Sequence, residues 1–164
     1  MKKSLISATV VFAISTTLII TSKPASADGD NGTLPHVDGN YHFPQTKWGN
    51  VRHTLRVHIP KNSQSISHIS ITVPETVNWS NKVNDITITQ NNGQKVNANI
   101  SLNEKTITLA FNEPVSPNSK LEIDIKNVRQ PLRGNGPIYR LFAKSVNSSV
   151  DMPIGMARFR VNGN

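Results

Sequence analysis

The chain has 164 residues, with 18 lysines and arginines against 10 acids and a formal charge of +8, and it has no cysteine. Without cysteine there is no disulfide, no thiolate metal site and no thiol nucleophile, so stability must come from a buried core and backbone hydrogen bonds. Aromatic residues make up 5% of the chain, too few for the base-stacking platform of a single-stranded nucleic-acid binder.

The first 27 residues have the layout of a secretory signal peptide. Lys2 and Lys3 form a positive start, an apolar run extends from Leu5 to Ile20, and Ala25-Ser26-Ala27 supplies the small-x-small cleavage pattern. Ser7, Ser15, Thr16 and Thr17 dilute the apolar run, which argues against a permanent anchor of about 20 apolar residues. Cleavage after Ala27 leaves 137 residues and removes Lys2, Lys3 and Lys23, lowering the charge from +8 to +5. An exported protein, periplasmic or extracellular, with no transmembrane segment after processing is expected.

Residues 28–50 are dense in Gly, Asn, Asp and Pro, which predicts a poorly ordered lead-in or one laid along the surface, tied down by Tyr41, Phe43 and Trp48. From Arg52 onward the pattern has a period of two. Thr54–Ile59 alternates strictly, as a strand with one face on a core requires. Ile69, Ile71 and Val73 repeat the pattern. Residues 86–100 read as a hairpin, with Ile86 and Ile88 outbound, Asn91-Asn92-Gly93 as the turn, and Val96, Ala98 and Ile100 returning. Ile107, Leu109 and Phe111 follow, then a break at Glu113–Asn118, then Leu121, Ile123 and Ile125. Segments at 138–142 and 156–161 close the chain. One helical turn fits between Thr76 and Asn84. Residues 51–164 are therefore expected to form a single antiparallel, Ig-like β-sandwich of about seven or eight short strands.

The second half carries a resemblance. Phe111-Asn112-Glu113-Pro114-Val115-Ser116-Pro117-Asn118, then Val128-Arg129-Gln130-Pro131-Leu132-Arg133-Gly134-Asn135-Gly136-Pro137-Ile138-Tyr139, and finally Pro153-Ile154-Gly155-Met156-Ala157-Arg158-Phe159 are similar to the DUF2808 family, exported domains found chiefly in cyanobacteria. The strand Leu55–Ile59 followed by Pro60-Lys61-Asn62 also resembles that family's early segment. Asn118 and Gln130 depart from its pattern, where Gly and Asn are usual. The likeness spans about residues 51–161 and implies export and a fold, not an activity.

For chemistry the sequence offers little. The histidines are His36, His42, His53, His58 and His68. His58 and His68 fall on polar positions of what read as neighbouring strands, so a metal pair is geometrically open, but a zinc site needs three or four ligands and no fitting carboxylate is evident. Solvent-facing strand histidines are the expectation, with no metal and no cofactor. Asp28-Gly29-Asp30-Asn31-Gly32 misses the spacing of a calcium loop. Glu113 and Asp151 are the acids in loop contexts, while Glu122 and Asp124 share an outer strand face. No nucleophile–base pair emerges and there is no G-x-S-x-G, so no catalytic residues are assigned.

The most unusual feature is the basic last third, where Lys126, Arg129, Arg133, Arg140, Lys144, Arg158 and Arg160 face Asp151 as the only acid after Asp124. Lys126, Arg129, Arg133, Arg140, Arg158 and Arg160 are the candidate binding residues for an anionic partner, such as acidic polysaccharide or the envelope surface. The sequence thus reads as an exported, non-catalytic binding or structural module. The rival is a metal-dependent or hydrolytic enzyme using the strand histidines, and a third reading is an edge-strand partner for another exported chain. The oligomeric state is left open.

Overall fold

A computed structural model describes residues 32–44, 50–91 and 93–161. The segment read as a signal peptide lies outside the described residues, as does Trp48. Ten strands form: β1 (His36–Phe43), β2 (Asn50–Ile59), β3 (Ile66–Thr72), β4 (Ile86–Gln90), β5 (Gln94–Lys95), β6 (Ala98–Asn103), β7 (Thr106–Val115), β8 (Ser119–Arg129), β9 (Ile138–Ser145) and β10 (Met152–Arg158). They make two antiparallel five-stranded sheets, ordered β1-β2-β8-β4-β5 and β10-β9-β3-β7-β6, packed as an Ig-like sandwich.

Two-residue alternation sets the interior. Val51, Leu55, Val57 and Ile59 of β2 point inward with Leu121, Ile123 and Ile125 of β8, against Ile69 and Ile71 of β3, Ile107 and Leu109 of β7, and Leu141 of β9. Each such burial contributes about 1.5–3 kcal/mol, enough collectively to hold a domain of this size without cross-links. The outward residues of β2 and β8 form charge pairs, Arg56 Nε to Glu122 Oε1 at 2.9 Å and Arg52 to Asp124 at 3.6 Å. Glu122 and Asp124 do share the outer face, and each is held there by an arginine.

Four readings of the sequence change. Residues 36–43, read as lead-in, are a paired edge strand in register with β2, from His36 opposite His58 to Phe43 opposite Arg52. Tyr41 and Phe43 lie on the outer surface, where Arg56 covers the Tyr41 ring at 4.9 Å and Arg52 the Phe43 ring at 5.8 Å. The supposed 86–100 hairpin splits. Its turn is real, with Gln90 opposite Gln94 and positive φ at Asn91 and Gly93, but only β5 returns along β4. The chain then crosses to the other sheet, where Ala98–Asn103 pairs with β7. The break expected at Glu113–Asn118 begins later, since β7 runs to Val115. Finally, β1, β5 and the separation of β6 raise the strand count to ten. The single helical turn expected between Thr76 and Asn84 is a 3-10 turn at Val83–Asp85.

On one side the two sheets meet edge to edge, β1 against β10. Asn40 of β1 donates to the Arg158 carbonyl of β10 at 2.9 Å, and Gly155 lies so close to Val37 that a Cβ there would stand 3.2 Å from its side chain. The loop between β8 and β9 folds back onto this region, with the Phe159 amide donating to the Pro137 carbonyl at 3.0 Å. Gly136, at φ +74°, permits this approach, because a Cβ would fall 1.8 Å from the Phe159 carbonyl oxygen. Gly136→Ala should therefore cost about 3 kcal/mol or more, since backbone must move. Gly134→Ala, at φ +101° with nothing within 4 Å, should cost only about 1 kcal/mol. Urea unfolding of the two variants checks the difference.

Candidate functional site

Strand direction decides where the basic residues lie. β1, β8 and β10 finish, and β2 and β9 begin, at one end of the sandwich. Lys126 and Arg129 occupy the last residues of β8, Arg133 the loop beyond it, Arg140 the third position of β9, Arg158 the end of β10, and Arg160 the tail. All six are exposed, and among the described residues none is ion-paired, unlike Arg52, Arg56, Lys120 and Lys144. They share an end but not one face. Lys126 and Arg129 belong to the first sheet, and Arg140, opposite Met156, stands on the outer face of the second.

A buried polar cluster fixes this end. His53 of β2 points inward, in phase with Val51 and Leu55, and is fully buried. Its Nε2 lies 2.9 Å from Gln130 Oε1 and its Nδ1 lies 2.8 Å from the Tyr139 hydroxyl. A carbonyl oxygen only accepts, so Nε2 carries the proton and donates, leaving Nδ1 bare to accept the Tyr139 O–H. Phe159 stacks on the imidazole, with ring centroids 3.9 Å apart and planes 8° from parallel, and Tyr139 meets both rings edge-on. The contact joins the two sheets, because His53 lies in one and Tyr139 in the other. Burial pushes His53 down to about 4, against the opposing effect of its Gln130 hydrogen bond, with nearby His42 also lowering it. Burial likewise raises the Tyr139 phenol above its usual value. Both groups are held neutral.

Beside this cluster, an open groove of about 590 Å³ runs between β1 and β10, lined by Asn40, Tyr41, His42, Met156, Arg158 and Arg160, with Phe159 at its base. It combines two guanidinium groups, neither ion-paired among the described residues, with an amide, a phenol and an imidazole. Guanidinium suits planar oxyanions, and the amide, phenol and imidazole suit hydroxyls.

The other sequence candidates do not converge. His58 and His68 lie in different sheets, so the pair drawn from neighbouring strands does not form. His58 instead meets His36, with ring centroids 5.1 Å apart. His53 and His58 are buried rather than solvent-facing, while His68 is half-buried on the outer side of β3 and bonds Ser67. Among the described residues no three His, Asp or Glu side chains are grouped to hold a metal ion. Glu113 lies on β7 and Asp151 just before β10, strands separated by β9 and β3 in their sheet, and Asp151 pairs with Lys144 at 3.7 Å.

Residues 35–157 match the DUF2808 family, described as a protein of unknown function. The chain belongs to the DUF2808 family. Tyr139, Phe159 and Gly136 of the family-like segments, with Gln130 at a departure from the pattern, all meet in the buried cluster or its supporting loop. No curated protein matches the chain. Among solved structures, the chain is similar to the RrgA Jo.In complex, with TM-score 0.45 and 14% identity over 74% of this chain and 75% of that one. It is also similar to the collagen-binding domain of a Staphylococcus aureus adhesin, with TM-score 0.42 and 8% identity over 73% and 95%. A third is the collagen-binding domain of Erysipelothrix rhusiopathiae surface protein RspB, with TM-score 0.42 and 11% identity over 73% and 45%. Among the described residues no helix is long and apolar enough to cross a membrane.

The neutral His53 has a consequence for stability. Its folded pKa of about 4 lies below the ordinary 6.5, so between these values the unfolded chain binds the extra proton. The contribution is fully present above about pH 6.5 and is lost as the pH falls toward 4, a change on the order of 3 kcal/mol. Urea midpoints should drop across that window in the native protein and drop less in His53→Gln. Equal slopes would contradict the assignment.

Proposed function

We propose that this DUF2808 domain is an exported, non-catalytic binding module of the cell envelope or extracellular matrix, and that it holds anionic polysaccharide in the groove between β1 and β10. The leader-like first 27 residues support export. The observation that carries the reading is the pair Arg158 and Arg160, exposed and without a carboxylate partner among the described residues, beside Asn40, Tyr41 and His42. Sugar carboxylates or sulfates would take the guanidinium groups, and sugar hydroxyls the amide, phenol and imidazole. Arg129, Arg133 and Arg140 add long-range attraction from the same end, which speeds encounter more than it strengthens the bound state. A binding role free of catalysis is supported by the separation of Glu113 from Asp151 and by the burial of His53 in a structural bond.

Cosedimentation with polygalacturonate and dextran sulfate, with neutral dextran as control, tests the proposal. Binding to the anionic polymers is expected at about 20 mM salt and should weaken strongly by about 500 mM, as exposed charges are screened. The double variant Arg158→Glu/Arg160→Glu should bind about tenfold or more weakly, with an unchanged circular dichroism spectrum. No binding at low salt, or equal binding by the variant, contradicts the proposal.

A further inference from the structure

The four sheet edges are not equally protected. Natural sheets guard their edges with bulges, proline, charge, shortness or cover, because a bare edge is a template for another strand. β1 carries a bulge between Val37 and Gly39, with charged Asp38 inside it, and it lies against β10. β10 has a bulge between Pro153 and Gly155 and a proline within the strand. β5 is two residues long and includes Lys95. Apart from the 3-10 turn Val83–Asp85 packed near it, β6 has none of these devices. It runs Ala98-Asn-Ile-Ser-Leu-Asn103, without charge or proline, and pairs with β7 in unbroken register.

The surroundings of β6 add to this. On its side the two sheets are bridged by the crossover after β5, where the Val96 amide donates to the Ile88 carbonyl and the Asn112 amide to the Asn97 carbonyl. The inner residues of β6 are only half-buried, and a groove of about 560 Å³ opens between β4 and β6, with Ile86, Ile88, Val96, Ala98 and Ile100 on its walls. Half-buried apolar side chains, and backbone groups without a partner among the described residues, therefore lie along one edge.

We infer that two copies of this chain pair through β6, antiparallel across a two-fold axis at Ser101, to form one continuous ten-stranded sheet. The occupant is a second copy because the strand complements itself. With Ser101 on the axis, Ile100 of each copy stands opposite Leu102 of the other on the inner face. Asn99 stands opposite Asn103 on the outer face. No charge meets a like charge, and the apolar residues half-buried in one copy gain cover from the other. A closed isologous contact of this kind uses up the edge and stops at two copies. Six residues a side make a small interface, so association in the micromolar range is expected.

Light scattering coupled to size exclusion, on purified protein from about 1 to 100 µM, tests the pairing. Ser101 is exposed, so Ser101→Lys and Ser101→Glu should fold normally by circular dichroism, yet each puts like charges in contact at the axis. The native protein should reach the mass of a dimer as concentration rises. Each variant alone should stay monomeric, and an equimolar mixture of the two should regain the dimer. A native protein that remains monomeric across the range, a dimer unchanged in either variant, or loss in both without recovery on mixing would overturn the inference.

Discussion

The bond between His53 and Tyr139 joins one sheet to the other through the interior, and the arrangement of the basic end depends on it. Buried polar groups are tolerated only when their hydrogen-bonding capacity is met. Here each imidazole nitrogen has one partner, and one face of the ring is covered by Phe159. Losing either partner would leave a buried nitrogen unpaired, at about 1–3 kcal/mol. The cluster also demands a unique packing, because a polar bond is directional where apolar contact is not.

From this anchor the local chain path follows. Gln130, the residue after β8, is drawn inward to meet His53, which turns the next residues outward and exposes Arg133 at the loop. Phe159, the residue after β10, is drawn inward to stack on the same ring, which leaves Arg158 and Arg160 exposed on either side of it. The exposed guanidinium groups next to the groove are thus direct neighbours in sequence of the buried residues that hold the sheets together. A fixed scaffold beneath surface charges limits the entropy lost when they engage a partner.

Much of the fold was legible in the sequence. Leu55, Val57 and Ile59, and Leu121, Ile123 and Ile125, alternate without exception, and alternation requires a pleated strand. β1 was missed because Asp38, Gly39 and Asn40 interrupt any apolar period, and its bulge shifts the phase. β6 was misplaced because alternation reports which face is buried, not which sheet the strand joins. His53 left a readable sign, since it stands in phase with Val51 and Leu55, although a strand begun at Thr54 excludes it. The six basic residues were visible as composition. Their gathering at one end was not, because it depends on the direction of five strands, and the separation of His58 from His68 likewise depends on sheet membership.

The His53 ring links the two sheets in this way only when it is neutral, with Nε2 protonated and Nδ1 bare. Its two ring nitrogens can be read by ¹⁵N magnetic resonance as the pH is lowered from neutrality. The account predicts one protonated nitrogen, Nε2, and one bare nitrogen, Nδ1, unchanged until the pH approaches about 4. A ring that takes up its second proton near the ordinary value of 6.5, or that shows Nδ1 protonated instead, would contradict it.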